Sequence, residues 1–417
     1  MTNPWTHRLL AGLEGSGSLS AGDHTSVHGA LPAGATRKGG DLALIREIDA
    51  SGLLGRGGAG FPAGRKVRTV AAGKRPVVVA NGAEGEPASG KDVLLMTRNP
   101  HLVLDGLAVA ARAVGAAELH LALHRGSAAR ATMTAALRER RDLDVTIHEL
   151  PGRYVASEAS AVVHFINGGD AKPMFRYPEV YERGVGGRPT LVHNVETLAH
   201  LALIGRHGSE WFRSVGDVDE PGTMLLTVTT PRGATVAETV TGTTVGTVLD
   251  AVGHTFATSG AVLIGGYFGT WVSREQAWHL PLTHYALKAI GGGLGAGILV
   301  ALPADGVCGL AEAARVADYL ARENAGQCGP CFNGLPALAG GLTALATKGH
   351  VEPAMSRWLS VVPGRGACAH PDGATRMIAS ALATFAGEAD RHATRGPCAD
   401  AHRPPLLPVP ATTTDWR

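Results

Sequence analysis

The sequence predicts an α/β domain with a largely parallel sheet, then a small β-rich domain, then a C-terminal helical bundle. Three observations indicate this order. Strand-like and helix-like segments alternate up to about residue 150, short β-type runs dominate from about residue 221, and helical spacing returns from Gly309. A chain of 417 residues is also too long for one ordinary core, so several domains are expected.

The α/β segment opens with a helix, because Leu42, Ile45 and Ile48 follow helical spacing and Gly52 is a plausible stop. Strands and helices then alternate. The strand candidates are PVVVAN at 76–81, ELHLALH at 118–124 and DVTIHEL at 144–150, and the helices between them span 99–115 and 125–141. This β-α-β-α-β order predicts parallel strands.

The remaining segments complete the predicted organisation. β-type runs at 222–230, 234–240, 261–266 and 269–272 surround one helix at 243–253. Helical segments follow at 309–324, 334–348, 352–361 and 372–387. Residues 1–40 have no clear period and are predicted to be a loose arm, and the Pro-rich tail at 391–417 is predicted to be disordered.

Composition excludes several classes of protein. With 45% hydrophobic and 18% charged residues the chain suits a globular protein. The net charge of +2 gives no reason to expect nucleic acid as a partner. The N-terminus lacks a long apolar run and no segment is an unbroken span, so we expect a cytoplasmic protein without direct membrane insertion. Five cysteines do not make a disulfide framework and point to metal or redox chemistry.

A glycine-rich loop is the first candidate binding site. Gly55, Gly57 and Gly60 satisfy G-x-G-x-x-G, but a helix precedes them, so the usual dinucleotide fingerprint fails its context. Glycines still let backbone amides approach a phosphate or a flavin ring, and a helix beginning near Pro62 would offer its N-terminus to an anion. Lys66 would lie one turn inside that helix. The alternative is a Gly-rich turn with a solvated lysine.

The segment NGAEGEP directly follows the strand at 76–81. Loops at the carboxyl ends of parallel strands are where α/β folds bind ligands. Asn81, Glu84 and Glu86 offer acceptors suited to ring nitrogens or ribose hydroxyls, and the alternative is that each is a solvated turn residue.

The pair Cys328-Gly-Pro-Cys331 has two interpretations. It could be a redox dithiol, or it could supply part of an iron–sulfur or zinc site. Dithiol motifs usually sit at a strand-to-helix junction, whereas Cys328 follows a helix, which disfavours the first interpretation.

Several motifs together resemble one family. The segments occur in the family's order, and they are SGLLGRGGAGFPAGRKV, NGAEGEP, RYVASEASAVV, GVGGRPTLVHNVETLA and ENAGQCGPC with a later GAC. They resemble the NADH-oxidising flavoprotein subunit of respiratory complex I and its relatives in NAD-linked hydrogenases and formate dehydrogenases. The resemblance covers about 41–390. It implies an FMN-binding α/β domain at 41–220, a ubiquitin-like β-grasp domain of the SLBB type at 221–300, and a bundle carrying a 4Fe-4S cluster at 301–390.

The resemblance also implies cofactors and their ligands. FMN would accept a hydride and pass single electrons to the cluster. The positions matching flavin-contacting motifs are Gly55, Arg56, Gly57, Lys66, Asn81, Glu84, Tyr154, Ser157, Glu158, Asn194 and Thr197.

On the nicotinamide side the chain departs from the family. Ala83 replaces an Asp, and Ala159 replaces a second carboxylate. Thr69 and the run Arg176–Glu179 stand where family members have the two phenylalanines that stack the adenine, although Phe61 remains. Each lost aromatic face costs about 1 kcal/mol. The sequence therefore predicts weak or absent NADH binding.

The cluster motif departs as well. Ala325 occupies the first ligand position, while Cys328, Cys331 and Cys368 keep the other three. Three outcomes are open: a 4Fe-4S cluster with a non-cysteine or solvent ligand, a 3Fe-4S cluster, or no stable cluster. The candidate replacement ligands are His370, Asn324 and Cys308.

Two functions fit these sequence features. The first is an oxidoreductase subunit that passes electrons between FMN and an iron–sulfur cluster and exchanges them with ferredoxin-like or membrane redox subunits rather than with free NADH. The alternative is a non-catalytic scaffold that kept the fold after losing the donor site and the cluster. No residue is assigned a catalytic role.

Overall fold

The computed structural model describes residues 4–15, 17–32, 40–175 and 177–417. The helices are α1 Ala21–His28, α2 Leu42–Ala50, α3 Ala63–Ala71, α4 Lys91–Arg98, α5 Pro100–Val114, α6 Ala129–Glu139, α7 Ala159–Ile166, α8 Val195–Arg213, α9 Val245–Ala251, α10 Arg274–Ala277, α11 His284–Ala289, α12 Gly309–Arg322, α13 Leu335–Lys348, α14 Met355–Val361, α15 His370–Thr384 and α16 Ala386–Arg395. The strands are β1 Val77–Gly82, β2 Glu118–His124, β3 Val145–Leu150, β4 Thr190–Asn194, β5 Thr223–Thr230, β6 Gly233–Val240, β7 Ser259–Ile264, β8 Thr270–Val272 and β9 Ile298–Pro303.

The first sheet has the order β3-β2-β1-β4 and every pairing in it is parallel, so the predicted parallel sheet is confirmed. Alternate residues of β1 belong to two different hydrophobic cores, one on each face of the sheet. Val78 and Ala80 pack with α5 and α8 on one face, and Val77 and Val79 pack with α7 on the other. Burial on both faces explains why this strand has a continuous apolar sequence.

Strand β4 and helices α7 and α8 are elements that the sequence patterns did not predict. β4 is only five residues long, and its last residue, Asn194, is also the N-cap of α8. A strand this short, running straight into a helix, leaves no turn signal between the two periodicities. Its parallel pairing with β1 places Asn194 beside Asn81 at the carboxyl edge of the sheet.

The second sheet has the order β6-β5-β9-β7-β8 and is mixed. β5 pairs antiparallel with β6 and parallel with β9. Because β9 lies in the middle of this sheet, the predicted domain boundary at residue 300 is wrong: it cuts a central strand. The expectation of a single helix is also wrong, since α10 and α11 accompany α9.

The C-terminal helices share one core, in which α12 packs against α13 and α15. Their bounds agree with the helical segments predicted from the sequence, except that α16 follows α15 almost without a break. Among the described residues, none of the helices has both the length and the apolarity needed to cross a bilayer.

The Pro-rich tail is packed, so the expectation of disorder is wrong. Leu407 is buried. The backbone amides of Leu406 and Leu407 each donate to the Glu312 carboxylate at 3.0 Å. Further along, the Arg153 guanidinium stacks 4.0 Å from the centre of the Trp416 ring. These anchors fix a segment that its proline content alone would leave extended.

The N-terminal segment is likewise not loose where the structure describes it. Leu9 is fully buried, and the Glu238 carboxylate accepts the backbone amides of Arg8 and Leu9 at 2.8 Å each. In α1, His24 bonds to Asp105 on α5 at 2.8 Å. Polar anchors of this kind leave no hydrophobic period, which is why the pattern did not reveal them.

Candidate functional site for flavin and an iron–sulfur cluster

Three loops and the junction between β4 and α8 meet at the carboxyl edge of the parallel sheet. Asn81 and Asn194 are register partners on β1 and β4. The Asn81 amide nitrogen donates to the Ser157 carbonyl at 2.8 Å, which brings in the 3₁₀ turn Tyr154–Ser157. A Cβ on Gly85 would lie 2.6 Å from the Tyr154 carbonyl oxygen, so these two loops are in direct contact.

The glycine loop closes the same site. The Arg56 amide donates to the Thr197 hydroxyl at 2.9 Å, and a Cβ on Gly57 would lie 3.2 Å from the Cβ of Asn194. Helix α3 begins immediately after Pro62, as the sequence predicts. The structure thus brings the loop against the carboxyl end of β4, with a helix N-terminus beside it.

The side chain of Arg56 is directed away from this edge. It is buried, its guanidinium donates to the Thr223 carbonyl at 2.8 Å, and its Nε lies 4.0 Å from Glu196. The guanidinium therefore joins α8, beside the first sheet, to the start of β5. A contact from Arg56 to a flavin at this edge would come from its backbone.

Lys66 is the cation of the predicted site. It lies in α3, and its Nζ donates to the Val192 carbonyl at 3.2 Å. Burial lowers the pKa of Lys66, and the Glu179 and Glu158 carboxylates counteract that effect. Its ammonium lies 5.7 Å from the centre of the Phe61 ring. Lys66 is half-buried, and a partly desolvated cation that donates to a carbonyl is a favourable neighbour for a phosphate.

Two of the predicted carboxylates cap helices. Glu84 accepts the backbone amides of Asp92 at 3.2 Å and Val93 at 3.1 Å, at the start of α4. Glu158 is the N-cap of α7 and accepts the Ser160 amide at 2.9 Å. Burial raises the pKa of Glu84 to about 7. Both oxygens of Glu84 are thus engaged by α4, which differs from the expectation of a free acceptor for a ring or ribose.

A buried charge network supports Asn194, and the sequence patterns did not identify it. The Lys91 ammonium lies 2.7 Å from Asp92, 2.9 Å from Glu196 and 3.3 Å from the Asn194 side-chain oxygen. The Asn194 amide nitrogen donates to Asp92 at 2.6 Å. Lys91 is only 1% exposed. The available signal was the adjacent Lys-Asp pair opening a helix directly after the NGAEGEP loop.

Glu86, unlike Glu84, has a carboxylate oxygen that can still accept a hydrogen bond. One of its oxygens accepts the Tyr154 hydroxyl at 2.8 Å and the Tyr267 amide at 3.0 Å. The other oxygen is buried and has no partner in the part of the chain that the structure describes. Burial raises the pKa of Glu86 to about 7. An unpartnered buried carboxylate oxygen beside Tyr154 fits a ligand that brings its own hydrogen-bond donor.

The nicotinamide side shows both the expected losses and an unexpected pair of rings. Ala83 is buried, and Thr69 lies exposed on α3. Arg176 lies outside the described residues. Its neighbours Phe175 and Tyr177 are 75% and 77% exposed. The position that matches the family phenylalanine is Glu179, but Tyr177 lies two residues before it and Phe175 four residues before it.

The three predicted cluster cysteines belong to two neighbouring segments. The sulfurs of Cys328 and Cys331 are 3.5 Å apart, on the turn that opens α13. Burial first, and then the neighbouring thiols Cys328 and Cys368, raise the pKa of Cys331 to about 12. Cys368, just before α15, is therefore close enough to act on Cys331. Ala325 is buried in the core of the C-terminal helices, so a methyl group stands where the family motif has its first ligand.

Asn324 is already engaged as a cap. Its side-chain oxygen accepts the Gly326 amide at 2.8 Å, and its amide nitrogen donates to the Ala321 carbonyl. Cys308 lies elsewhere, 3.9 Å from His392. Neither is placed as a replacement for the missing cysteine.

Among the candidate replacement ligands, His370 has a ring nitrogen whose lone pair is available to bind iron. Its Nε2 lies 2.8 Å from the Leu320 carbonyl. A carbonyl oxygen can only accept, so Nε2 carries the proton and Nδ1 carries the lone pair. That Nδ1 is buried and has no hydrogen-bond partner among the described residues. A neutral imidazole two residues from Cys368 matches the chemistry of an iron ligand.

A cleft of about 500 Å³ lies on the other side of the 84–90 loop. It is lined by 87–90, by β5 and β6, and by Leu406 and Pro408 of the tail. Its lining includes none of the predicted flavin positions. The candidate cofactor site is therefore the loop cluster at the sheet edge and not this cleft.

Comparison with known families gives matches in two regions of the chain. Residues 48–203 match the Nuo51 FMN-binding domain. Residues 311–392 match the NADH-ubiquinone oxidoreductase-F iron-sulfur binding region. The fold and these two regions define an electron-transfer flavoprotein that has an FMN-binding region and a 4Fe-4S-binding region.

Three curated relatives identify a particular family within this class of flavoproteins, and each of the three is an F subunit of NADH-quinone oxidoreductase. The F 2 protein of Rhizobium meliloti is 30% identical over 381 residues, which cover 84% of this chain and 88% of the relative. The Streptomyces coelicolor protein is 29% identical over 384 residues, covering 85% and 84% respectively. The Escherichia coli protein is 29% identical over 371 residues, covering 83% of each chain. The chain belongs to the family of NADH-quinone oxidoreductase F subunits, which confirms the resemblance that its motifs indicated.

Two solved structures of an NAD⁺-reducing [NiFe]-hydrogenase also contain a chain that is similar to this protein. The NAD⁺-reducing [NiFe]-hydrogenase in its H₂-reduced state contains a chain that is 27% identical, with a TM-score of 0.77 over 85% of this chain. The air-oxidised form gives 28% identity and a TM-score of 0.75 over 84% of this chain. The protein spans only 63% and 62% of those hydrogenase chains.

Proposed function

We propose that this protein transfers electrons between FMN, held at the carboxyl edge of the parallel sheet, and an iron–sulfur cluster held by Cys328, Cys331 and Cys368. One observation carries the proposal. The ring of Tyr154, in the flavin-side turn, lies 5.8 Å from the ring of His370, which is two residues from Cys368. The two candidate sites are thus joined through packed aromatic rings.

For the flavin, the proposal assigns roles to residues of this chain. The backbone at Gly57 lines the approach, and the Gly55 amide closes the glycine loop by donating to the Phe61 carbonyl at 2.9 Å. Lys66 neutralises the phosphate beside the N-terminus of α3. Glu86 accepts a hydrogen bond from the ring system through its unpartnered oxygen. When bound, FMN supplies the exchange between two-electron and one-electron steps.

For the cluster, we propose three thiolates and the Nδ1 atom of His370. The imidazole is neutral because burial lowers the pKa of His370 to about 4. Its second nitrogen is held by the Leu320 carbonyl, which fixes the orientation of the ring in the way that outer partners orient metal-bound histidines. Replacement of a thiolate by imidazole raises the reduction potential of an iron–sulfur centre, as Rieske centres show.

The electron donor in this proposal is a partner protein and not free NADH. Ala83 and Thr69 supply neither the carboxylate nor the aromatic face that the resemblance requires for the dinucleotide. The relatives are named as subunits of a quinone oxidoreductase, and a ferredoxin-like or membrane-bound redox subunit is the proposed companion. The second sheet is proposed to be the SLBB-type domain, and the proposed location is the cytoplasm.

A comparison of two reductants tests this proposal. Anaerobic protein, loaded with FMN and cluster, is mixed in separate samples with dithionite and with micromolar NADH, and absorbance and EPR spectra are recorded. The proposal expects dithionite to bleach the flavin and reduce the cluster, with no change from NADH. Rapid, saturable bleaching at micromolar NADH would overturn the assignment of the donor.

A further inference from the structure

A second group of metal-ligating side chains lies at the opposite end of α12 from the cluster loop. Cys308 is the N-cap of α12. Glu388 and His392 are four residues apart on α16, so they project from one face of that helix. Cys398 follows soon after α16 ends. Three separate points of the chain therefore contribute to one spot.

The donor atoms of this group have the spacing of a single metal ion. One ligand atom from each of Cys308, Glu388, His392 and Cys398 lies within 4.8 Å of every other. The Cys308 sulfur is 3.9 Å from Nε2 of His392. Tetrahedral zinc, with bonds of about 2.0–2.3 Å, holds its donor atoms about 3.3–3.8 Å apart. Movements of a few tenths of an ångström to about 1 Å would therefore seat the ion.

The imidazole has the proton arrangement that a metal requires. Nε2 of His392 accepts the backbone amide of Cys398 at 3.2 Å, so this nitrogen carries the lone pair of the neutral ring, and a metal ion would take the place of that amide as its partner. His392 is 1% exposed, and its Nδ1 has no partner in the described part of the chain. Cys308 is 2% exposed, while Glu388 and Cys398 are half-buried.

We propose that Cys308, Glu388, His392 and Cys398 bind one Zn²⁺ ion in a closed, structural site. Zinc binding would release the thiol protons of Cys308 and Cys398 to solvent, and the dication would then offset the mutual repulsion of two thiolates and a carboxylate at one poorly solvated point. Two sulfurs with one imidazole favour zinc over hard cations such as Mg²⁺ and Ca²⁺. Four protein ligands leave no open position, which is typical of a structural site.

The position of the ion explains what it would stabilise. It would tie the chain after α16 to the start of α12, and from there the tail runs back along α12. Leu406 and Leu407 bond to Glu312 of α12, and Trp416 lies under the Arg153 guanidinium. The zinc site would therefore fix the start of the C-terminal tail, and the other end of the tail packs at the turn beside Tyr154. None of its ligands belongs to the proposed iron–sulfur cluster, so the inference stands apart from the proposed function.

Zinc content of the full-length protein tests the inference. Protein produced with zinc in the medium is dialysed exhaustively and analysed by mass spectrometry, together with Cys398→Ser, His392→Ala and Cys328→Ser. The expected result is about one zinc per chain in the wild type and in Cys328→Ser, and loss of zinc in the other two variants. Co²⁺ substitution should give an intense thiolate charge-transfer band that Cys398→Ser lacks and Cys328→Ser keeps.

Circular dichroism of each variant separates ligand loss from unfolding, and Cys398→Ser changes only one atom of a half-buried residue. Zinc retained in folded Cys398→Ser and His392→Ala would overturn the inference. So would a wild type that binds no zinc, or one in which Cys308 and Cys398 are found joined as a disulfide after anaerobic purification.

Discussion

Arg153 and Glu323 form a buried ion pair, with 2.9 Å between Nε and the carboxylate, that joins the flavin-side turn to the loop leading into the cluster cysteines. Both side chains are at most 5% exposed. The same carboxylate oxygen of Glu323 also accepts the Tyr154 amide at 2.9 Å, and the guanidinium donates to the Arg322 carbonyl at 2.9 Å. One pair thus holds the two candidate sites in contact.

Replacement of Arg153 should destabilise this junction. In Arg153→Ala, Glu323 would remain buried without its cation, and breaking a buried pair in this way costs about 3–5 kcal/mol. Urea unfolding followed by circular dichroism should show a midpoint shifted to lower concentration. Arg125→Ala, which removes an exposed pair with Asp415, is the matched control and should change stability by less than about 1 kcal/mol. Equal effects in the two variants would contradict the role given to Arg153.

Restoring the missing cysteine should strengthen the cluster. Ala325 is buried in the core of the C-terminal helices, three residues before Cys328, so Ala325→Cys offers a fourth thiolate close to the Cys328 and Cys331 pair. We expect a higher iron and sulfide content after aerobic purification and a changed EPR spectrum. Ala339→Cys, on the buried face of α13, controls for an added thiol. His370→Ala should lower cluster content in the wild-type protein and have less effect when combined with Ala325→Cys. An unchanged spectrum in Ala325→Cys would show that position 325 does not face an iron.

The pH dependence of stability should carry the signature of Glu86. Burial raises its pKa to about 7, whereas an unfolded glutamate titrates near about 4.3. Between these values the folded state binds more protons than the unfolded state, so the free energy of unfolding falls as pH rises from about 5 to about 7.5. Glu86 contributes at most about 1.4 kcal/mol per pH unit to that slope.

Glu86→Gln should remove this contribution, because a neutral amide does not titrate. The measurement is the urea midpoint at several pH values for the wild type and the variant without FMN. The exposed Glu275→Gln serves as control, since the Arg274 contact lowers the pKa of Glu275. Wild-type and Glu86→Gln curves that stay parallel through this range would mean that Glu86 remains ionised in the folded protein.

An aromatic ring at position 69 should improve dinucleotide binding. Thr69 is exposed on α3, so phenylalanine fits there without repacking. A stacking face contributes about 1 kcal/mol, which corresponds to an approximately fivefold lower Kd for NADH. Isothermal titration of the FMN-loaded protein measures it, with Thr69→Leu as the control for added apolar area. Equal gains from leucine and phenylalanine would argue against stacking at this position.

The sequence patterns predicted the parts of the fold whose residues are periodic. The apolar run of β1, the alternation of β2, the stop of α2 near Gly52 and the start of α3 after Pro62 are local signals, and they were interpreted correctly. β4 was missed because five residues run directly into α8. β9 was missed because its pairing with β5 joins residues about 70 positions apart, such as Thr227 and Ile298.

The packed tail and arm escaped prediction for a different reason. These segments are held by single hydrogen bonds from backbone amides to carboxylates. The Leu407 amide donates to Glu312 and the Leu9 amide donates to Glu238, and such bonds produce no periodic pattern in the sequence. The motifs indicated the candidate site and named Glu86 only as one of three possible acceptors. They did not distinguish Glu86 from Glu84 or identify the Lys91 network, because those distinctions depend on burial, which a motif does not specify. Only the fold brings Cys308 and Cys398 together, so the sequence could not pair them.

The most direct test of the central claim is anaerobic analysis of FMN, iron and sulfide in the purified full-length protein, with EPR after reduction. We expect a coloured protein with about one flavin per chain and a reducible iron–sulfur signal that Cys328→Ser abolishes. A colourless protein that neither binds added FMN nor retains reconstituted iron and sulfide would contradict it and would favour a scaffold on the same fold.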